Sequence, residues 1–216
     1  MPEKRSPHRH DSTEETRRAI LRVAEDLFME HGYRAVSTRK VAQYTGISQP
    51  TLYYHFSDKQ ELYVAVMLAV LNRIQIELEH IATASDITVE EKLKAVIRHI
   101  LRFSKDRLKV GPMLRDIEAE LHETARNNVS EAFYKGMILP VVTILQQNKT
   151  PESSNGEHTS GLSYITLAFM FYSMISTLTE DSNPLEQRKS SFEESESEIA
   201  TKLTRFYLHG LLAGQS

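Results

Sequence analysis

Apolar side chains recur along this chain at the three-to-four-residue spacing of one helix face, and no run shows the strict alternation of a strand. Ile20, Ala24, Leu27 and Phe28 form one stripe, which Gly32 closes. Leu62, Val66, Val70 and Ile74 form a second, on a helix expected from Asp58 to about Ile81. Leu93, Ile97, Ile100 and Leu101 form a third, stopped by Gly111-Pro112, and Ile199, Leu203, Phe206, Tyr207 and Gly210 stripe the last helix. Ser12-x-x-Glu15, Ser57-x-x-Gln60 and Thr88-x-x-Glu91 match the capping box, in which two side chains satisfy free amides at a helix start. Pro140, inside GMILPVVTILQ, predicts a kink. The fold class is therefore all-α, with about nine helices.

The segment VSTRKVAQYTGISQPTLYYHFSDK (36–59) breaks the run of long helices. Ser37 is placed to cap a first short helix whose Val41 and Ala42 face inward, and Gly46 permits a sharp turn. Ser48 caps a second short helix, and Pro50 near its start costs little, since an amide there has no intrahelical partner. Two short helices joined by a glycine turn make a helix-turn-helix. On a helical wheel Leu52 and Phe56 lie within about 40° of each other and point to the core. Pro50, Thr51, Tyr54 and His55 occupy the opposite side, with Gln49 and Tyr53 on the flank. So much polar aromatic surface on one short helix fits the major groove of B-DNA, whose flanking phosphates lie within reach of hydroxyls and imidazole.

Net charge adds a condition to this picture. The 216 residues carry a formal charge of −3, which argues against uniform affinity for nucleic acid. Positive charge is local: residues 32–59 hold Arg34, Arg39, Lys40 and Lys59 against the single carboxylate of Asp58. The absence of cysteine excludes disulfides and thiol chemistry, and no apolar leader occupies the first residues, so the cytoplasm, at the nucleoid, is the expected site. Residues 159–179 carry no formal charge, but their many Ser and Thr, and the Glu180 and Asp181 that follow, favour a helix buried in a core or between subunits over a membrane span.

Residues 14–60, and above all TLYYHF followed by SDK, resemble the DNA-binding segment of the TetR family of transcriptional regulators. The resemblance implies an N-terminal three-helix DNA-binding domain over 13–60, preceded by a disordered basic tail at 1–12. A larger helical effector-binding and dimerisation domain follows over 61–216. It also implies roles. Arg39 corresponds to a base-reading arginine suited to guanine, Gln49 to a base-contacting glutamine, and Pro50 and Thr51 to contacts with a thymine methyl. Thr38, Tyr53, His55 and Lys59 correspond to phosphate contacts, Lys59 lying where helix N-terminal amides favour an anion. Ser48 and Tyr54 join the set, although Ser48 serves equally as a cap and Tyr54 as a cover.

By the same resemblance the expected partners are a pseudo-palindromic double-stranded operator, a second copy paired through 161–178 and 193–212, and a small-molecule effector, with neither cofactor nor metal. Ile97, Leu101, Met113, Leu114, Ile117, Phe133, Tyr134, Met137, Tyr164 and Met170 supply apolar surface for that effector, although the same stripes are needed merely to fold. The Pro140 kink and the Gly111-Pro112 break are expected where an effector rearranges the body. The segments 148–161 and 180–191, rich in Ser, Asn, Pro and Gly, read as loops. Two other functions stay open. One is a DNA-binding dimer without an effector. The other is a helical enzyme using Glu118 and His122 with His99 or Glu123, a set that no catalytic motif accompanies.

Overall fold

The computed structural model describes residues 8–106, 116–147, 162–179 and 195–212, and all of its regular structure over these residues is helical. The helices are α1 (His8–Ala35), α2 (Thr38–Thr45), α3 (Gln49–His55), α4 (Lys59–Thr83), α5 (Val89–Asp106), α6 (Glu123–Phe133), a π-helical turn (Tyr134–Ile138), α7 (Leu139–Gln146), α8 (Tyr164–Thr179) and α9 (Glu196–Leu212). Residues 116–120 are helical as well. The chain divides into two compact units, one comprising Met1–Val70 with Pro112–Val129, the other Leu71–Gly111 with Ser130–Ser216. This division runs ten residues further along α4 than the boundary read from the sequence, and it assigns a later segment to the N-terminal unit.

The first unit is built on the expected stripe of α1, with Ile20, Ala24, Leu27 and Phe28 all buried. Val41 and Ala42 of α2, Leu52 and Phe56 around α3, and Leu62, Tyr63 and Val66 of α4 are buried too. Phe28 and Tyr33 both pack against Tyr63, with ring centroids 5.0 and 4.9 Å away. α1 begins at His8, so its first turn reaches into the segment assigned to a disordered tail and precedes the Ser12-x-x-Glu15 box. Gly32 breaks α1 where expected. Its φ of 76° is a conformation that side chains disfavour, and one short helical turn follows it to Ala35.

The start of α4 differs from the sequence reading. Asp58, one residue later than expected, caps it: Glu61 N–H donates to Asp58 Oδ1 at 2.7 Å, and Ser57 N–H donates to Glu61 Oε2 at 2.6 Å. Gln60 points elsewhere, donating to the Glu120 carbonyl at 3.2 Å and accepting from His122 N–H at 3.3 Å. A carboxylate is the stronger acceptor for a helix-terminal amide, which is why Asp58-x-x-Glu61 wins over Ser57-x-x-Gln60. The box at Thr88 and Glu91 forms as read, with reciprocal bonds of 2.7 and 3.2 Å.

In the second unit α5 packs on α7, α8 and α9, and α7 packs on α8. Its buried set includes Leu93, Ile97 and Ile100 of α5 and Leu167, Ala168 and Phe171 of α8. Pro140 produces its disturbance one turn upstream. It lacks the N–H that would bond Gly136, and the preceding turn widens so that Leu139 N–H reaches Tyr134 O, five residues back. Gly136 lies in this turn, close against α4, where an added Cβ would stand 3.1 Å from the Leu71 carbonyl. Lys92 is 4% exposed and holds three elements: its Nζ donates to Ala82 O at 3.0 Å and to Gln147 Oε1 at 2.6 Å, while Gln147 Nε2 also donates to Ala82 O. Ala82 lies in the last turn of α4, whose carbonyls have no helical partner, so the ammonium serves as a cap. No described helix is long and apolar enough to cross a membrane. Gly111-Pro112, the Ser-rich segments 148–161 and 180–191, and the first two residues of the last expected helix, 193–194, lie outside the described residues.

Candidate nucleic-acid interface

Local chemistry fixes the two short helices. Ser37, extended at φ −110°, accepts from Lys40 N–H at 3.1 Å to begin α2. Gly46 ends α2 at φ 75°, in the left-handed conformation that lets its N–H and that of Ile47 close back on the helix, Ile47 N–H to Ala42 O at 3.0 Å. Ser48 Oγ then accepts from Thr51 N–H at 3.2 Å and meets Thr51 Oγ1 at 2.8 Å, with Pro50 inside the first turn of α3. The helix ends at Phe56, whose buried ring lies beneath the Arg17 guanidinium at 5.1 Å. Ser48 thus spends its hydroxyl on capping. It fixes the N-terminus of α3.

The outward face carries the expected residues. Arg39, Gln49 and Pro50 are exposed and Thr51 is half-exposed. Tyr53 is 48% exposed and Tyr54 78%, and Tyr54 meets the half-buried His55 edge-on at 5.3 Å. Thr38 Oγ1 and Tyr53 OH lie 3.0 Å apart, joining the first residue of α2 to the middle of α3. This hydroxyl pair links the helix bearing Arg39 to the helix bearing Gln49.

Lys59 stands differently. Its ammonium lies 4.0 Å over the Tyr33 ring. Burial lowers its pKa, with Glu120 and Asp116 acting in the opposite direction. Of the neighbouring α4 amides that were to favour an anion, that of Glu61 is held by Asp58, and the Glu61 carboxylate takes the Ser57 amide just before the helix, so both carboxylates oppose a phosphate there and any attraction comes from the ammonium. The lysine is held from behind by a polar cluster: Asp116 Oδ2 accepts from Tyr33 N–H at 2.9 Å, and Arg34 pairs with Glu120. Sequence reading could not find Asp116, 83 positions from Tyr33. It also passed over Lys40 and Tyr44, whose ammonium and ring lie 6.0 Å apart on α2, with Tyr44 64% exposed; their four-residue spacing was the available signal.

Residues 20–66 match the profile of the bacterial regulatory proteins of the tetR family. The transcriptional repressor AcnR of Corynebacterium glutamicum is 27% identical over 150 residues, which cover 62% of this chain and 74% of AcnR. Residues 20–66 thus form a TetR-family DNA-binding segment. A second TetR-like relative, the transcriptional activator FasR of Mycolicibacterium smegmatis, is 43% identical over 54 residues, a quarter of each chain. The matched relatives are thus spanned to between a quarter and three quarters of their length. The fold agrees: the transcriptional regulator FadR from Bacillus subtilis, solved in complex with stearoyl-CoA, superposes with a TM-score of 0.65 over 89% of this chain and 98% of FadR at 17% identity.

The TetR-matched segment contains every residue nominated for DNA and none nominated for the effector. Of the latter, Ile97, Leu101, Phe133, Met137 and Tyr164 are buried in the second unit. Tyr134 and Met170 are 37% and 51% exposed, Ile117 is buried in the first unit, and Met113 and Leu114 lie outside the described residues. Tyr172, which was not nominated, donates its buried hydroxyl to Met137 O at 2.9 Å, and burial pushes its pKa up. In the face suggested for an enzyme, Glu118 pairs with Arg126 at 3.8 Å, and the described residues contain no His, Asp and Glu group able to hold a metal.

Proposed function

We propose that this protein is a homodimeric TetR-family repressor that reads a pseudo-palindromic operator and is released by a small hydrophobic effector. The carrying observation is the outward face made by Arg39, Gln49, Pro50 and Thr51, across which Thr38 and Tyr53 are joined by a hydrogen bond. Arg39 is free to fork onto guanine and Gln49 to bond a base edge, while Thr38, Tyr53, His55 and Lys59 flank them toward the phosphates. Repression is favoured over activation because the longer match is to a repressor.

Dimerisation is supported by apolar surface left without a partner. On α8 and just before it, Leu162, Ile165, Phe169 and Met170 are between 37% and 51% exposed at helical spacing. On α9, Phe206 is 75% exposed. A contiguous apolar stripe of this kind is costly in water and self-complementary across a two-fold axis. The two reading helices would then address half-sites about one helical turn apart, ~34–36 Å. An elongated apolar effector suits the second unit, whose core includes Ile97, Leu101, Phe133, Met137 and Tyr164. FadR holds stearoyl-CoA, so long-chain acyl-CoAs are the first compounds to test.

Selection of bound sequences from a random duplex pool should enrich one inverted repeat, and acyl-CoA should reduce its retention. A pool that stays random in low salt overturns the reading. Sedimentation should give twice the 24.7 kDa chain mass, and Phe206→Glu should give the monomer. A monomeric wild type at micromolar concentration would reject the pairing.

A further inference from the structure

We propose that Arg18 and Arg22 form a second contact with duplex DNA, binding backbone phosphates outside the half-site that α3 reads; this rests on the DNA-binding reading above. Both side chains are exposed, one turn apart on α1. Other arginines of the first unit are engaged: Arg17 over the Phe56 ring, Arg34 with Glu120, Arg126 with Glu118. Among the residues of that unit whose side chains are described, the arginines with no ion pair, hydrogen bond or ring contact are Arg18, Arg22 and Arg39. Arg39 belongs to the reading face. Like charges one turn apart weaken a helix slightly, so the arrangement of the other two has a cost and no intramolecular return.

Arg18 and Arg22 line an open hollow of about 540 Å³ together with Glu15, Thr16 and Ala19 of α1 and Thr45 and Ile47 of the turn between α2 and α3. Two guanidiniums are planar forks whose donors match phosphate oxygens. Position selects the duplex as the source of those oxygens. Thr45 and Ile47 bracket Gly46, and α3 begins two residues later at Gln49. When a helix lies in the major groove, the backbone passes on either side of it. Glu15 reduces the formal charge around the hollow to one, too little to hold a free anion and sufficient for a phosphate already delivered by docking of α3.

The test uses two duplexes bearing the same selected repeat, one trimmed to its outer edges and one extended by about ten base pairs, one helical turn, at each end. Affinity is measured against salt for the wild type, for Arg18→Ala/Arg22→Ala and for Arg18→Lys/Arg22→Lys. Two phosphate contacts in each protomer, four per dimer, contribute a slope of about −0.9 each, so between ~50 and ~200 mM salt the wild type should lose roughly a hundredfold more affinity for the long duplex than the alanine variant does. On the trimmed duplex the two should run parallel, and the lysine variant should retain the wild-type slope on both. An alanine variant that matches the wild type on the long duplex, or that falls equally on both duplexes, overturns the proposal. A wild type that binds neither duplex overturns the parent reading first.

Discussion

Replacing Tyr53 by Phe removes one oxygen and almost no packing surface. In the free protein that oxygen meets the Thr38 hydroxyl at 3.0 Å on a residue that is 48% exposed. Water can replace either partner there, so the bond contributes about 0.5 kcal/mol to stability, and the thermal midpoint should move by no more than ~2 °C. On DNA the same hydroxyl is expected to donate to a phosphate while accepting from Thr38. A hydrogen bond to a charged acceptor contributes about 1.5–3 kcal/mol, so binding should weaken by roughly ten- to a hundredfold for each half-site. The slope of affinity against salt should not change, because a neutral hydroxyl displaces no counterion. Thr38→Val should cost less than Tyr53→Phe, and the double variant less than the sum of both, since the second loss falls on a relay already broken. Fluorescence anisotropy on the selected duplex at several salt concentrations, with thermal denaturation alongside, separates these effects. An affinity loss no larger than the stability loss would refute the assignment of Tyr53 to the backbone.

Two further outcomes concern the second unit. Lys92→Ala should lower stability by about 2–4 kcal/mol, a midpoint shift of roughly 5–15 °C by calorimetry, because the capped Ala82 carbonyl and Gln147 Oε1 lose a charged donor and a void remains. Lys92→Met should recover much of this by keeping the stem while avoiding burial of a charge, and an alanine variant melting with the wild type would sink the argument. His99 has a buried Nε2 without a hydrogen-bond partner, and burial lowers its pKa from the ordinary 6.5, with Glu77 opposing and Arg102 adding to the effect. The unfolded chain therefore takes up this proton before the folded one, so the wild type should lose stability as pH falls below about 6.5. His99→Phe should flatten that loss between about pH 7 and pH 5; parallel curves for the two proteins would reject the attribution.

The fold was legible wherever its cause is local. The stripe of α1, the glycine at 32, the serine caps of α2 and α3 and the box at Thr88 each involve residues within a few positions of one another, and each forms as read. The cap of α4 was misread because two boxes overlap there, and the choice between them turns on acceptor strength together with a distant demand on Gln60. Its partners, Glu120 O and His122 N–H, lie some sixty positions away. The site divides along the same line. Gln49 and Tyr53 share a face of α3 by helical geometry alone, and Arg39 follows from the short glycine turn between α2 and α3, whereas the setting of Lys59 depends on Asp116 and Glu120, which no local pattern connects to it.

The last helix carries a different lesson. Its expected stripe was Ile199, Leu203, Phe206, Tyr207 and Gly210, yet the residues buried within the chain are Ala200, Thr204 and Tyr207. Ile199 and Leu203 are half-exposed, and Phe206 and Gly210 are exposed. Periodicity found an apolar face correctly, but α9 has two adjacent faces suited to burial, and hydrophobicity alone does not rank them. The face of Ala200, Thr204 and Tyr207 is the inward one, where α5 packs on α9, Arg102 reaches Glu196, and Tyr207 OH donates to Leu167 O at 2.8 Å. The larger apolar face is thereby turned away from its own chain. A second subunit, as proposed above, would supply what that face lacks, so the error in reading α9 and the case for a dimer have one physical origin: the larger apolar side chains of α9 are not covered by the described residues of its own chain.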